Sequence, residues 1–144
     1  MKVLGFDGRE KTWNLTKYVP TKNDKRHRSK NHLRARKILR TLFPRDRILE
    51  EVSLPGSNTS SRKSLLYADF FIPSHDLVIE VHGRQHYEFV KFYHKTKGEY
   101  YRSRKRDRDK IDWCKLNSLT IVVLKYSESD DVWKQRINGE WASF

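Results

Sequence analysis

Cysteine is nearly absent from this chain: Cys114 stands alone in 144 residues. That excludes an internal disulfide and any multi-cysteine zinc site, and it fits a reducing compartment. No long apolar run, signal-peptide pattern, lipidation motif or internal repeat is present either. The expectation is a soluble, cytoplasmic, non-secreted protein with no membrane partner. Acid is also scarce, with 18 Asp and Glu against 31 Lys and Arg and a formal charge of +13. Such an excess favours a polyanion as partner, and double-stranded DNA leads the candidates. The length suits one domain.

Residues 2–18 predict a small hairpin, with Asp7-Gly8 as its tight-turn signal. Residues 20–30 form a polar, strongly basic arm. Leu33, Ile38, Leu39 and Leu42 fall near helical spacing with Ala35 on the flank, which predicts a helix over 31–43. Ser29 or Asn31 would cap it and Pro44 would end it. Residues 47–54 read as a strand and 55–62 as an exposed loop. Strands over 64–73 and 77–83 are joined by Pro73-Ser74-His75-Asp76, which is turn chemistry. The connection over 84–98, rich in aromatics and histidine, specifies neither helix nor strand. A helix over about 99–117 and an apolar strand over 119–124 close the pattern. The result is an α/β chain with a basic N-terminal part (1–28), a core (29–126) and a C-terminal extension (127–144).

The chemistry concentrates in residues 68–86, ADFFIPSHDLVIEVHGRQH. Strand alternation puts Leu77, Ile79 and Val81 on one face and Val78, Glu80 and His82 on the other. Asp69 shares a side with Tyr67 and Phe71. Antiparallel pairing of the two runs would bring Asp69 to Glu80, with Gly83 ending the second strand and Gln85 and His86 just beyond. Either acid alone reads most simply as a solvated or salt-bridged residue. Two buried acids together are costly without a cation between them. With the Val81 carbonyl they would make a hard oxygen site suited to Mg²⁺, for which Mn²⁺ would substitute.

Asp69 in its DFFIP context, the LVIEV strand, Gly83 with Gln85 and His86, and the later RDRDK helix resemble the PD-(D/E)XK nuclease superfamily. Within it the chain is most similar to the very-short-patch-repair (Vsr)-like and EDxHD endonuclease branch. The resemblance covers residues 29–126. It implies a restriction-endonuclease-like α-β-β-β-α-β core, a mixed sheet flanked by helices, and metal-dependent DNA endonuclease activity. It further implies Asp69, Glu80 and Val81 as metal ligands, and Asp107 as the final acid of the EDxHD pattern. Two departures stand out. His82 occupies the place of the usual lysine, which moves the burden of general base or phosphate contact to His82, Gln85 or His86. The predicted first helix carries no acid, so Glu50 or Glu51 would replace the usual glutamate, with Glu51 favoured.

The cations fall into two groups. Lys25, Arg26, Arg28, Lys30, Arg34, Arg36, Lys37 and Arg40 span the arm and first helix. Arg102, Arg104, Lys105, Arg106 and Arg108 lie on the second helix, and Arg84 follows the acid-bearing strand. They are expected to track phosphates. Phe89, Phe92, Tyr93, Tyr100 and Tyr101 either stack on bases or form a satellite core. A non-catalytic nucleic-acid-binding protein and a structure-specific or RNA nuclease are the competing functions.

Overall fold

The computed structural model describes residues 1–91 and 93–142, the side chains of Lys22 and of residues 140–142 apart. The chain opens with a hairpin, β1 (Lys2–Leu4) and β2 (Glu10–Thr12). Helix α1 (Lys30–Leu42) leads to three strands: β3 (Leu49–Ser53), β4 (Tyr67–Ile72) and β5 (Leu77–His82). Helix α2 (Lys97–Leu116), β6 (Thr120–Lys125) and α3 (Asp130–Ala142) follow. The expected order of helix, three strands, helix, strand is present, with element ends displaced by three residues or fewer.

The sheet runs β3-β4-β5-β6, antiparallel as far as β5 and parallel between β5 and β6. Among the described residues the fold is therefore mixed α/β, with three helices, a mixed four-stranded sheet and an antiparallel hairpin in front. A parallel pair needs a long crossover, and α2 supplies it, lying over one face of the sheet. Among the described residues no helix is long and apolar enough to cross a membrane.

Local chemistry sets the helix starts. The Ser29 hydroxyl accepts the His32 N–H (3.2 Å) and opens α1. At α2 the Thr96 hydroxyl accepts the Glu99 N–H (3.2 Å), while Glu99 reaches back to the Lys95 N–H (2.8 Å). The β4–β5 link is a single 3-10 turn, Pro73–His75, closed by Asp76 in the left-handed region (φ 48°). Aspartate tolerates that conformation better than bulky side chains do.

Each sheet face buries its own apolar cluster. Phe70, Ile72, Leu77, Ile79, Val122 and Leu124 pack under Ala35, Ile38 and Leu39 of α1 and Trp133 and Ile137 of α3. The segment expected to trail the core thus supplies part of it. Phe71 and Val78 face the other way, toward Trp113 and Cys114 of α2 and Val3 and Trp13 of the hairpin region. Trp13 stacks on Phe71 (4.5 Å between centroids) and meets Trp113 edge-on (5.2 Å). The three buried indoles each donate their N–H to a backbone carbonyl at 2.9 Å: Trp13 to Ser53, Trp113 to Pro55, Trp133 to Lys125. With those groups satisfied, burying one such ring contributes about 4–6 kcal/mol as an upper bound. Asn117, at the end of α2, clamps β1 by bonding both the N–H (2.6 Å) and the carbonyl (3.0 Å) of Leu4.

Candidate active site

The β4–β5 ladder pairs Ile72 with Leu77, Phe71 with Val78 and Phe70 with Ile79, and it stops there. The next residues in register are Asp69 and Glu80, and their side chains take over from the backbone. The Asp69 N–H donates to Glu80 Oε2 (2.8 Å), and the Val81 N–H donates to Asp69 Oδ2 (2.7 Å). The two acids are thus brought together as the alternation of the strands required. The interrupted ladder leaves the Val81 N–H for the Asp69 carboxylate, a contact that the expected role of the Val81 carbonyl as a ligand did not include.

A third group closes the pair. Lys110, from the middle of α2, donates to Glu80 Oε1 at 2.6 Å, with the Glu80 side chain only 2 % exposed. Burial holds the Asp69 carboxyl well above the usual carboxylate range, and the Glu80 charge pushes it further the same way. Burial works against the Lys110 ammonium, but Glu80 and Asp69 outweigh it and raise its pKa. The sequence offered Lys110 only as a charge on a helix face. Its spacing of three residues from Asp107 was the one available signal, since it puts both on the same face of α2.

Beside this pair lies a second cluster. His86 Nδ1 bonds Asp107 Oδ2 at 2.8 Å, and the His82 ring stacks on His86 at 4.0 Å and 7°. His82 Nδ1 bonds the Tyr87 hydroxyl at 3.2 Å, and its Nε2 sits 3.9 Å from Asp107 Oδ1. Burial and the neighbouring His86 charge bring the His82 pKa down to about 4, so this ring is neutral at neutral pH. Burial pushes the Tyr87 phenol up to about 12, which keeps its proton. At Asp107 burial works upward, but His86, His82 and Lys110 prevail and the carboxyl lies below its ordinary value. Ligand atoms of His82, His86 and Asp107 fall within 4.8 Å of one another, an arrangement that can hold a metal ion.

His86 and Asp107 border a cleft of about 690 Å³, lined also by Gln85, Arg102 and Arg106 among others, and the acid pair reaches it through Lys110. Gly83 matters here for space: a Cβ would lie 2.5 Å from Gln85 Oε1, so only glycine lets that side chain fold back. Glu51, the favoured replacement acid, breaks the β3–β4 ladder opposite Asp69 with φ 49° and pairs with Arg28 (2.6 Å). Its charge still reaches Asp69 and raises that pKa. Glu50 points the other way, fully buried, and bonds His32 (2.5 Å) and Arg36 (2.8 Å).

The basic residues separate into two kinds. Arg26 and Arg28 bond Asp24 (2.7 and 3.1 Å), Arg36 holds Glu50, and Arg34 pairs with Asp130 while stacking on Trp133 (3.6 Å). The four arginines, expected on phosphates, each hold an acid of the fold, and Arg26 and Arg28 keep the Asp24 carboxyl far below its ordinary value. Arg84 pairs with Glu88, Lys105 with Asp109 (3.1 Å), and Arg104 lies over the Tyr100 ring (5.8 Å). Lys25, Lys30, Lys37, Arg40, Arg102, Arg106 and Arg108 carry no ion pair among the described residues. Tyr100 is buried and bonds the Tyr87 carbonyl (2.9 Å), whereas Tyr93 and Tyr101 are exposed. Phe92 lies outside the described residues.

No family model matches the chain, and no solved structure matches it. It is similar to an uncharacterized protein, 307L, of Invertebrate iridescent virus 6, with 32% identity over 65 residues. The match covers 45% of this chain and 33% of that protein, so the chain spans about a third of the relative's length.

Proposed function

We propose that the chain is a metal-dependent DNA endonuclease of the PD-(D/E)XK superfamily, with a restriction-endonuclease-like core. One observation carries the reading: Asp69 and Glu80 meet at the end of a strand ladder, and Lys110, bonded to Glu80, lines the basic cleft that the His86–Asp107 pair borders. The donor chemistry suits Mg²⁺ or Mn²⁺. Both acids offer hard carboxylate oxygens, and Asp69 Oδ1 carries no hydrogen bond among the described residues. Asp69 and Glu80 would hold the ion, and when bound it supplies Lewis-acid polarisation of a phosphate oxygen and a more acidic water.

The protein's own part follows from its hydrogen bonds. Asp107 occupies Nδ1 of His86, which leaves Nε2 as the nitrogen that takes the proton from the attacking water. Water oxygen joins phosphorus, the bond to the leaving sugar oxygen breaks, and a proton returns to that oxygen. Gln85, whose amide folds into the space beside Gly83, orients the water or a phosphate oxygen. The neutral His82 ring, stacked on His86 and tethered by Tyr87, fixes the plane of the base.

A second reading, a nucleic-acid-binding protein without chemistry, draws on Lys110: its ammonium and the Val81 N–H already satisfy much of the acid pair. Supercoiled plasmid incubated with Mg²⁺, Mn²⁺ or EDTA separates the two. Metal-dependent nicking or linearisation, lost in Asp69→Ala and much reduced in His86→Ala, supports the nuclease. Tight, salt-sensitive binding with no cleavage in any metal overturns it.

A further inference from the structure

Arg102, Arg106 and Lys110 stand four residues apart along α2, and all three line the cleft that His86 and Asp107 border. In an α-helix such a spacing repeats one face with a drift of about 40°, and each step advances about 6 Å along the axis. That advance is of the order of the separation between consecutive phosphates of one nucleic-acid strand. Of the lysines and arginines among the described residues, these three alone line that cleft. Arg104 leans on Tyr100 and Lys105 on Asp109, while Arg102 and Arg106 are exposed and carry no ion pair among the described residues. Lys110, the third member, has its ammonium on Glu80. Two acids also lie along the cleft, and both are occupied: Glu99 by the Lys95 N–H, Asp107 by His86.

We infer that this stripe is a phosphate track for a single strand of the substrate, with its inner end, Lys110, at the scissile phosphate and Arg106 and Arg102 on the next two phosphates to one side. The placement of the scissile phosphate rests on the nuclease reading above; the track itself rests on the stripe. Its consequence is asymmetry. Strand contact extends along α2 from the acids toward Arg102, so binding is set by phosphates on one flank of the cut.

Binding without divalent metal isolates the track from the chemistry. Anisotropy of a labelled duplex of fixed length is followed over a salt series for the wild type, Arg102→Ala, Arg106→Ala and the double variant. Lys115→Ala, an exposed cation of α2 off the stripe, is the charge-matched control. Each stripe variant is expected to lower the slope of log K against log salt by about 0.9, and the double variant by about twice that. Lys115→Ala is expected to leave both slope and cleavage near wild type. Slopes unchanged in the arginine variants, or lowered equally by Lys115→Ala, overturn the track. The inner end is tested by single-turnover cleavage in Mg²⁺, where Lys110→Ala is expected to lose most of the rate. If the alanine variant does not fold, the charge-free pair Lys110→Met with Glu80→Gln takes its place, and Lys110→Arg is expected to retain more rate than either; a wild-type rate in a folded variant without the charge overturns the assignment of Lys110. Slope losses in the arginine variants, with no cleavage by the wild-type chain in any metal, keep the track and overturn the nuclease reading alone.

Discussion

Lys110 Nζ lies 2.6 Å from Glu80 Oε1 and so ties the middle of α2 to the centre of the sheet. An ammonium buried against a carboxylate is retained only as a pair, because either charge left alone in that place is costly. Lys110→Met is therefore expected to destabilise the fold by about 3–5 kcal/mol. The double variant Lys110→Met with Glu80→Gln is expected to lose much less than the sum of the two single changes. Chemical denaturation at neutral pH measures the coupling. Strict additivity would show that the contact contributes nothing.

Asp69 gives the opposite sign. Its folded pKa lies above its unfolded value, so the stability that goes with its proton is complete at low pH and is lost as pH rises. At neutral pH an ionised Asp69 beside Glu80 is a cost that a cation relieves. Asp69→Asn is therefore expected to raise the melting temperature in EDTA and to abolish cleavage. Mg²⁺ is expected to raise the melting temperature of the wild type and not that of the variant. A variant less stable than wild type in EDTA would refute the sign of this argument.

His82 sets a pH window of its own. It is buried and titrates at about 4, below the ordinary histidine value of 6.5. The unfolded chain therefore binds a proton that the folded chain refuses. Stability on this account is full above the unfolded pKa and falls by about 3 kcal/mol as pH drops toward 4. His82→Phe removes the titration, and its unfolding free energy is expected to vary less between pH 7 and pH 4 than that of the wild type. An identical slope in the two proteins would assign the acid sensitivity elsewhere.

The arm and first helix yield a prediction that separates charge from contact. Arg36 is neutralised by Glu50, a buried acid that Arg36, itself partly exposed, holds together with His32 and Arg28. Arg36→Ala is expected to cost about 3 kcal/mol or more of stability, because it leaves Glu50 without its main partner. The salt slope of DNA binding is expected to stay at the wild-type value. Lys37→Ala, on the same helix with no ion pair among the described residues, is expected to lower that slope and leave stability alone.

That contrast marks what the sequence could disclose. The meeting of Asp69 and Glu80 was legible because a two-residue period and one short turn determine register without help from the rest of the chain. Helix α2 was legible as a helix, but not Lys110's place on Glu80, which depends on how far the crossover slides over the sheet before Trp113 seats under the Pro55 carbonyl. The internal pairing of Arg26, Arg28 and Arg36 was hidden for a similar reason. Asp24 lies within the arm that reads as basic, and Glu50 comes to α1 only through the buried face of β3. Helix α3 was missed even though Trp133, Ile137 and Trp141 stand four residues apart, because so short a period, interrupted by Gly139, is a weak signal before the sheet is there to receive it.

The His86–Asp107 bond makes the sharpest statement about chemistry. Asp107 accepts from Nδ1 at 2.8 Å and is partly buried, so it holds the ring in one orientation and one tautomer, with Nε2 directed elsewhere. Two residues acting through one proton are not independent. Loss of His86 removes the base, and loss of Asp107 leaves a base in the wrong tautomer. His86→Ala is expected to lower the single-turnover rate by about 10²–10⁴-fold, with Asp107→Asn close behind. The double variant is expected to fall no further than His86→Ala alone. The two single variants are separable by added imidazole, which is expected to restore part of the rate to His86→Ala and none to Asp107→Asn. DNA binding in EDTA is expected to be the same in all four proteins. Rate losses that multiply in the double variant would separate the two residues, and Asp107 would then act on the fold or on a metal rather than on the base.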